Sequence, residues 1–164
     1  MSSEGISPDP KKLEAIQKMK FPEDKETMHS FLGLVNYLNR YSNLLASYCS
    51  TLRELVPKDV QYKPTAHHYE AFNWIKSIFK EKTVLPYFSS SKETILQVDA
   101  SKKGFGACLL QLKSGSSETG SEFEPVYFAS RTLSKAEKNY ENLERECMAA
   151  VWGMEKFHYY LYGS

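Results

Sequence analysis

Two acidic residues stand where the chain could hold a metal ion. Asp99 closes a strand-like run, TILQVD at 94–99, and a turn and a second apolar strand follow it. Glu146 lies in a long helical pattern, three residues after Leu143 and one turn before Ala150. An acid at this edge of a buried stripe loses hydration, and two acids brought together repel, so a divalent cation would stabilise both. In the alternative interpretation, Glu146 reaches water and Asp99 caps the following turn. The pattern leaves both open.

The hydrophobic period changes along the chain and predicts the elements that position these acids. Apolar residues recur at helical spacing up to Pro57, which predicts a small helical bundle over residues 1–60. A helix over 66–79, with Thr65 as its cap, and an extended linker are predicted within 61–91. From residue 92 the period becomes two, which is typical of strands. The predicted fold class is α+β, with a helical bundle followed by a three-stranded antiparallel sheet and a long covering helix.

The strands are predicted at 93–99, 105–113 and 124–130, and the Gly- and Ser-rich residues 113–122 are predicted to form a mobile hairpin loop. Ser134 and Glu137 form a capping-box pattern, which predicts one helix over 134–161. Two apolar sets lie on this helix. The set predicted to be buried is Leu143, Cys147, Ala150, Met154 and Leu161, and the opposite set, predicted to be exposed or to meet a partner, is Met148, Trp152 and Tyr159. We expect the buried set to cover the sheet that carries Asp99, with the carboxylates of Asp99 and Glu146 about 4 to 6 Å apart.

Composition limits the class of protein. Apolar residues make up 41% and charged residues 25%, as in globular proteins, and the net charge of +1 confines any nucleic-acid surface to a local patch. The three cysteines, Cys49, Cys108 and Cys147, are too far apart for a zinc knuckle and odd in number, which favours a reducing compartment. Neither a signal peptide nor a membrane span is visible, so we expect an intracellular protein, cytoplasmic or nuclear, that is not secreted and has no membrane partner.

Several motifs, in order, resemble the gypsy-type LTR-retrotransposon reverse transcriptase polyproteins. The segments LQVDAS at 96–101, GFGA at 104–107, VYFASRTL at 126–133, YENLERECMAAVW at 140–152 and KFHYYLYG at 156–163 resemble the opening of their ribonuclease H domain. The segments EGISPDP at 4–10, FLGLVNY at 31–37 and LREL at 52–55 resemble their thumb region. The resemblance implies a thumb-like segment at 1–60, a connecting segment at 61–91 and the N-terminal portion of a ribonuclease H-like domain at 92–164.

The resemblance also implies a chemistry. Family members cut the RNA strand of RNA–DNA hybrids with two Mg²⁺ (or Mn²⁺) ions about 4 Å apart. Asp99 matches the first acidic ligand and Glu146 the second; Glu144 is the rival, but the helical phase favours Glu146. The third and fourth acids lie beyond this helix in the family, and the polymerase's palm aspartates lie upstream, so all are missing from this sequence. We therefore expect a catalytically incomplete fragment in which metal binding is weak or absent.

The resemblance implies nucleic-acid partners for the thumb-like segment, besides the remainder of the polyprotein. Lys20, Lys25, Arg40 and Arg53 are candidates for backbone contacts with a template–primer duplex or an RNA–DNA hybrid, although scattered basic residues are more often an ordinary solvated surface. The alternative function is a non-catalytic remnant of a retroelement that binds nucleic acid or protein. His67 and His68 are predicted to be surface residues, and Cys108 and Cys147 to be core residues.

Overall fold

The computed structural model describes residues 5–42, 44–80, 84–113 and 122–162. The first two ranges form a helical lobe and the last two a sheet lobe. The helices of the helical lobe are α1 (Pro10–Lys18), α2 (Lys25–Tyr37), α3 (Leu45–Arg53) and α4 (Ala66–Ile78), with a 3₁₀ turn at Asn39–Tyr41. The helical bundle and the helix predicted at 66–79 are confirmed.

Local signals in the sequence begin the first two helices. The carboxylate of Asp9 accepts a hydrogen bond from the Lys11 backbone N–H at 2.9 Å, and Pro10 occupies the first helical position. At the start of α2, the carboxylate of Asp24 accepts from the backbone N–H of Thr27 at 2.8 Å. The apolar faces of the four helices then meet in one core around the fully buried Ile16, Met28, Phe31, Val35, Leu38, Leu52 and Ile75.

One predicted surface residue of this lobe is buried. His68 is only 8% exposed, and its Nδ1 lies 3.1 Å from the backbone N–H of Thr65 and 2.8 Å from its hydroxyl. His68 therefore completes the N-terminal cap of α4 from the third helical position, a role that Glu or Gln usually takes. The prediction was wrong for His68, while His67 is exposed as predicted.

The sheet lobe has three antiparallel strands in the order β1-β2-β3, and the predicted strands are confirmed to within two residues at each end. They are β1 (Thr94–Ala100), β2 (Gly104–Leu112) and β3 (Phe123–Thr132). The register aligns Asp99 with Gly106 and Gly106 with Ser130, so these three residues form one row across the sheet. Most of the hairpin loop predicted at 113–122 lies outside the described residues.

The single helix predicted over 134–161 is divided into three pieces, and that prediction was wrong. A 3₁₀ turn spans Glu137–Asn139, α5 spans Asn142–Lys156 and α6 spans His158–Leu161. The predicted reciprocal hydrogen bonds between Ser134 and Glu137 are present, but they close one turn only. The backbone of Tyr140 and Glu141 is extended, and Glu141 begins α5 with a second capping box. Two capping patterns stand in succession, and the second begins the long helix.

The predicted buried face of this helix was also wrong. Leu143 is 75% exposed, Met154 is 52% exposed and Cys147 is exposed. The buried residues of α5 are Arg145, Ala149 and Gly153, and Met148 and Trp152 from the set predicted to be exposed pack in the clusters on the sheet. Gly153 explains the choice, because a Cβ built on it would lie 2.7 Å from Cγ1 of Val98. The helix approaches β1 most closely where its side chains are smallest, and the two apolar stripes alone could not show this.

Candidate metal and nucleic-acid site

Asp99 is exposed at the end of β1, on the wall of a cleft between the lobes. The strand alternates half-buried and exposed residues, with Leu96, Val98 and Ala100 turned towards α5. Asp99 and Gln97 are on the opposite face and line a cleft of about 460 Å³ together with Ser47 and Tyr48 from the helical lobe. An open cleft with a carboxylate on its wall can admit a hydrated cation or a phosphate. Asp99 is therefore available to a ligand.

Glu146 is half-buried in the first half of α5. The helix runs antiparallel to β1: Ala149 packs in the cluster with Ala100, Gly153 lies over Val98, and Phe157 joins the cluster of Leu96. Glu146 precedes Ala149 by about one turn, so it lies beyond the strand end that carries Asp99. The acids are not opposed across the α5–sheet interface, since Asp99 is on the far face. They can approach each other only around the end of the strand, and the expected separation of 4 to 6 Å stays a prediction.

Neighbouring residues hold the first turn of α5 in place. Arg145 is buried, and its guanidinium donates to the carbonyl of Tyr140 at 2.6 Å and to Oδ1 of Asn142 at 3.3 Å. The rival acid Glu144 accepts from the backbone N–H of Glu141 at 2.8 Å and thereby caps the helix. This structural contact engages Glu144 and leaves Glu146 as the acid that has no such capping role.

Candidate metal ligands are few in the part of the chain that the structure describes. Within the described residues, no group of three or more histidine, cysteine, aspartate or glutamate side chains is arranged to hold a metal ion. Asp99 and Glu146 supply carboxylate oxygens, which suit a hard divalent cation. The pair could serve one ion whose remaining positions are filled by water and by phosphate oxygens.

Three of the four predicted nucleic-acid contacts take part in contacts within the chain. Lys25 donates from Nζ to the carbonyl of Pro57 at 2.5 Å, and the guanidinium of Arg40 lies 4.3 Å from the centre of the Tyr127 ring. Arg53 donates from Nη1 to the hydroxyl of Thr132 at 3.2 Å, although its side chain is exposed. Lys20 is exposed and lies two residues after the end of α1. The nucleic-acid role of all four stays a prediction.

Sequence reasoning missed an ion pair at the end of β3. Arg131 forms two hydrogen bonds with Glu137, at 2.9 and 2.8 Å, and its guanidinium lies 4.6 Å from the centre of the Phe105 ring. The hydrogen bonds from Arg131, followed by that from the Ser134 backbone, lower the pKa of Glu137 to about 2. The Ser134–Glu137 spacing revealed the turn, but Arg131, six residues before Glu137, is not part of the capping-box pattern.

Two transposon polyproteins are similar in sequence to this chain over nearly its whole length. The chain is 34% identical over 162 residues to the retrovirus-related Pol polyprotein from transposon 412 of Drosophila melanogaster. This alignment covers 99% of this chain and 13% of that polyprotein. It is 29% identical to the transposon Tf2-3 polyprotein of Schizosaccharomyces pombe, over 98% of this chain and 12% of that protein. The chain thus spans about an eighth of the length of these curated relatives.

Two solved structures share the fold. The foamy viral protease-reverse transcriptase in complex with RNA/DNA hybrid superimposes with a TM-score of 0.80, at 18% identity, over 99% of this chain and 21% of that chain. The foamy viral protease-reverse transcriptase dRH in complex with double-stranded DNA gives a TM-score of 0.78, also at 18% identity, over 98% of this chain and 27% of that chain. At this identity the likeness shows the fold alone.

The fold, in which a short antiparallel sheet is covered on one face by α5, is that of a ribonuclease H-like domain attached to a helical lobe. The model of the family described as RNase H-like domain found in reverse transcriptase matches residues 65–164, and the chain belongs to this family. The predicted resemblance to gypsy-type polyproteins is confirmed. The matched range includes α4 and begins upstream of residue 92, where the sequence predicts the domain to start. Within the described ranges, every helix falls short of the length and apolarity that crossing a bilayer requires.

Proposed function

We propose that Asp99 and Glu146 are the first two acidic ligands of a divalent-metal site that hydrolyses the RNA strand of RNA–DNA hybrids, within a retrotransposon reverse transcriptase. The observation that carries the proposal is the antiparallel passage of α5 over β1, which brings the start of the helix to the strand end where Asp99 meets the cleft. Membership of the ribonuclease H-like family supports the reaction class.

The donor set fits a hard cation such as Mg²⁺ or Mn²⁺, but only incompletely. Mg²⁺ keeps several waters and usually binds through one or two carboxylates and the phosphates of the substrate. A bound ion would supply an activated water and stabilise the charge that develops on the phosphate. Asp99 would orient the ion from the cleft wall, and Glu146 would bind it from the helix. We therefore propose weak binding of the metal by this chain alone and tighter binding when a hybrid supplies phosphate oxygens.

We further propose that residues 1–60 act as a thumb-like segment, joined by residues 61–91 to the ribonuclease H-like part, and contact the sugar–phosphate backbone of a hybrid or a template–primer duplex. The relatives that support this are polyproteins, and the structural neighbours are described in complex with double-stranded DNA or RNA/DNA hybrid. Lys20 and Arg53 are the exposed candidates, and Lys25 and Arg40 would contribute chiefly by shaping the surface. Each phosphate contact removed should lower the salt slope of binding by about one.

A metal titration tests the site. Free Mn²⁺ would be measured by electron paramagnetic resonance with the chain alone and with an RNA–DNA hybrid. We expect Asp99→Asn and Glu146→Gln each to weaken Mn²⁺ binding in the presence of the hybrid by at least about tenfold. Glu144→Gln is the matched control, since Gln keeps the oxygen that caps Glu141. Equal losses in the Glu144 and Glu146 variants, or unchanged binding by Asp99→Asn, would refute the assignment.

The exposed apolar residues of α5 favour a second candidate, a non-catalytic module that contacts nucleic acid or protein. Leu143, Val151 and Met154 present apolar surface on the side of the helix away from the sheet. Under this alternative, hybrid binding would be independent of Mn²⁺ and unaffected by Asp99→Asn. The same titration, read out as hybrid affinity, separates the two functions.

A further inference from the structure

The two lobes are joined by a reciprocal pair of hydrogen bonds. The side-chain Nδ2 of Asn39 donates to the backbone carbonyl of Ser130 at 2.7 Å, and the hydroxyl of Ser130 donates to Oδ1 of Asn39 at 2.5 Å. Asn39 is in the 3₁₀ turn after α2, and the buried Ser130 is in β3. Both ends of one side-chain amide are thus occupied by a single residue that lies far away in the sequence.

Three other contacts surround this pair, one from the same 3₁₀ turn and two from α3. Arg53, at the end of α3, donates to Thr132, and Arg40 stacks on Tyr127. At the start of α3, the Cβ of Ala46 would lie only 3.3 Å from a Cβ built on Gly104, so the glycine allows the helix to approach the sheet closely. These contacts extend along β3 and the neighbouring end of β2. A hinge between lobes would not be expected to carry so many specific contacts.

The position of this junction relates it to the candidate site. Ser130 is paired with Gly106, and Gly106 with Asp99, so Asn39 anchors one end of the row of residues whose other end is Asp99. The cleft with Asp99 on its wall opens beside the same junction, between α3 and the sheet. A rotation of the helical lobe about an axis away from this junction would change the width of the cleft only by breaking the Asn39–Ser130 pair.

We propose that Asn39 is a positioning residue, which locks the helical lobe to the row that carries Asp99 and holds the cleft at one width. A duplex seated on the helical lobe would therefore meet Asp99 at a fixed offset. The role of Asp99 in this statement rests on the proposed function, whereas the rigid coupling of the lobes does not. Losing both hydrogen bonds should lower the folded-to-unfolded ratio by about 30-fold.

Spin labels on the two lobes test the lock. One label is placed on the native Cys147, which is exposed on α5. The other is placed on a Gly33→Cys variant in α2, where the described residues put no atom beyond the chain neighbours and the helix's own backbone within 4 Å of the added Cβ. Cys49 and Cys108 are buried, which raises the pKa of each thiol to about 11, so they should escape labelling at neutral pH. We expect one narrow distribution of label distances without any metal or nucleic acid, and a clearly broader one after Asn39→Ala.

Thr27→Ala is the matched control, because it removes the hydrogen bonds of the Thr27 hydroxyl at the cap of α2 without touching the junction. It should lower stability and leave the distances narrow. Ser130→Thr keeps the hydroxyl and should also stay narrow, and Ser130→Ala, which loses one bond, replaces Asn39→Ala if that variant does not fold. A broad distribution in the parent, or a narrow one in the folded Asn39→Ala or Ser130→Ala variant, would overturn the proposal. Unchanged Mn²⁺ binding by Asp99→Asn in the presence of the hybrid would refute the proposed function but leave the lock intact.

Discussion

α5 lies very close to the sheet at Gly153, and an added methyl group there should destabilise the fold. Gly153 is buried, and a Cβ at this position would lie 2.7 Å from Cγ1 of Val98, 3.5 Å from Cδ2 of Leu96 and 3.7 Å from Cβ of Ala107. The first distance is well inside van der Waals contact, and the side chain of Val98 is branched at Cβ and stiff. Gly153→Ala must therefore push the helix away from β1 or force Val98 out of its rotamer.

Two opposing effects decide the size of the change. Replacing glycine by alanine inside a helix stabilises it by about 1 kcal/mol, whereas an extra methyl group in a packed core typically costs about 1 to 3 kcal/mol. We expect Gly153→Ala to be destabilised by about 1 kcal/mol overall. Gly33 in α2 is the matched control, because within the described part of the chain its added Cβ would meet nothing within 4 Å apart from its chain neighbours and its own helix backbone. Gly33→Ala should be stabilised by up to about 1 kcal/mol.

Urea unfolding followed by far-ultraviolet circular dichroism measures both changes. The midpoints of the two alanine variants should move in opposite directions from that of the parent, with little change in slope. Val98→Ala removes the methyl group that Gly153→Ala meets, so the double variant should be more stable than the sum of the single changes predicts. If Gly153→Ala is stabilised as much as Gly33→Ala, the inferred close packing of α5 on β1 is wrong.

Three further predictions concern individual side chains. The pKa of Glu137 is lowered from its usual 4.5 to about 2, chiefly by the hydrogen bonds from Arg131. The pair with Arg131 therefore stabilises the fold above pH 4.5 and loses this effect as the pH falls towards 2. In acid titrations of unfolding, the difference in stability between the parent and Glu137→Gln should shrink over that range. Gln111 is 1% exposed, and its side chain forms hydrogen bonds with the backbone N–H and C=O of Ser89 and with the hydroxyl of Thr94. Gln111→Leu should therefore lower the free energy of unfolding in urea by about 2 kcal/mol, and an unchanged midpoint would contradict this role. In a native thiol assay, one cysteine per chain, Cys147, should react quickly, and rapid reaction of all three would contradict the burial of Cys49 and Cys108.

Elements with local causes were predictable from the sequence. The helices that begin at Pro10 and Lys25 follow capping side chains within three residues of their starts. The strands follow a period-two pattern between polar turns, and their predicted limits agree with the structure to within two residues. The start of α5 was misplaced because it too was predicted from a local capping pattern. Two local caps follow each other, and the sequence alone did not show which one begins the long helix.

The candidate site was predicted only in part, because its geometry depends on the phase of α5. Glu146 was preferred to Glu144 because of an apolar stripe that the structure leaves exposed, and what now separates the two acids is the hydrogen bond from the Glu141 backbone that engages Glu144. The true packing face depends on Ala149 and Gly153, whose small side chains matter only when Val98 and Leu96 are known to lie beneath them. Hydrophobicity ranks these two residues low, whereas close packing makes them decisive.

The sequence by itself determined the order of helices and strands, the polar caps and the family motifs that make Asp99 and Glu146 candidate ligands, since all of these are carried by residues a few positions apart. Only the tertiary structure decided which face of α5 meets the sheet, that Asp99 opens onto the cleft, and that Asn39 meets Ser130. These contacts join residues far apart in the chain, and their energies depend on the shapes of both surfaces at once. No local pattern encodes such a match.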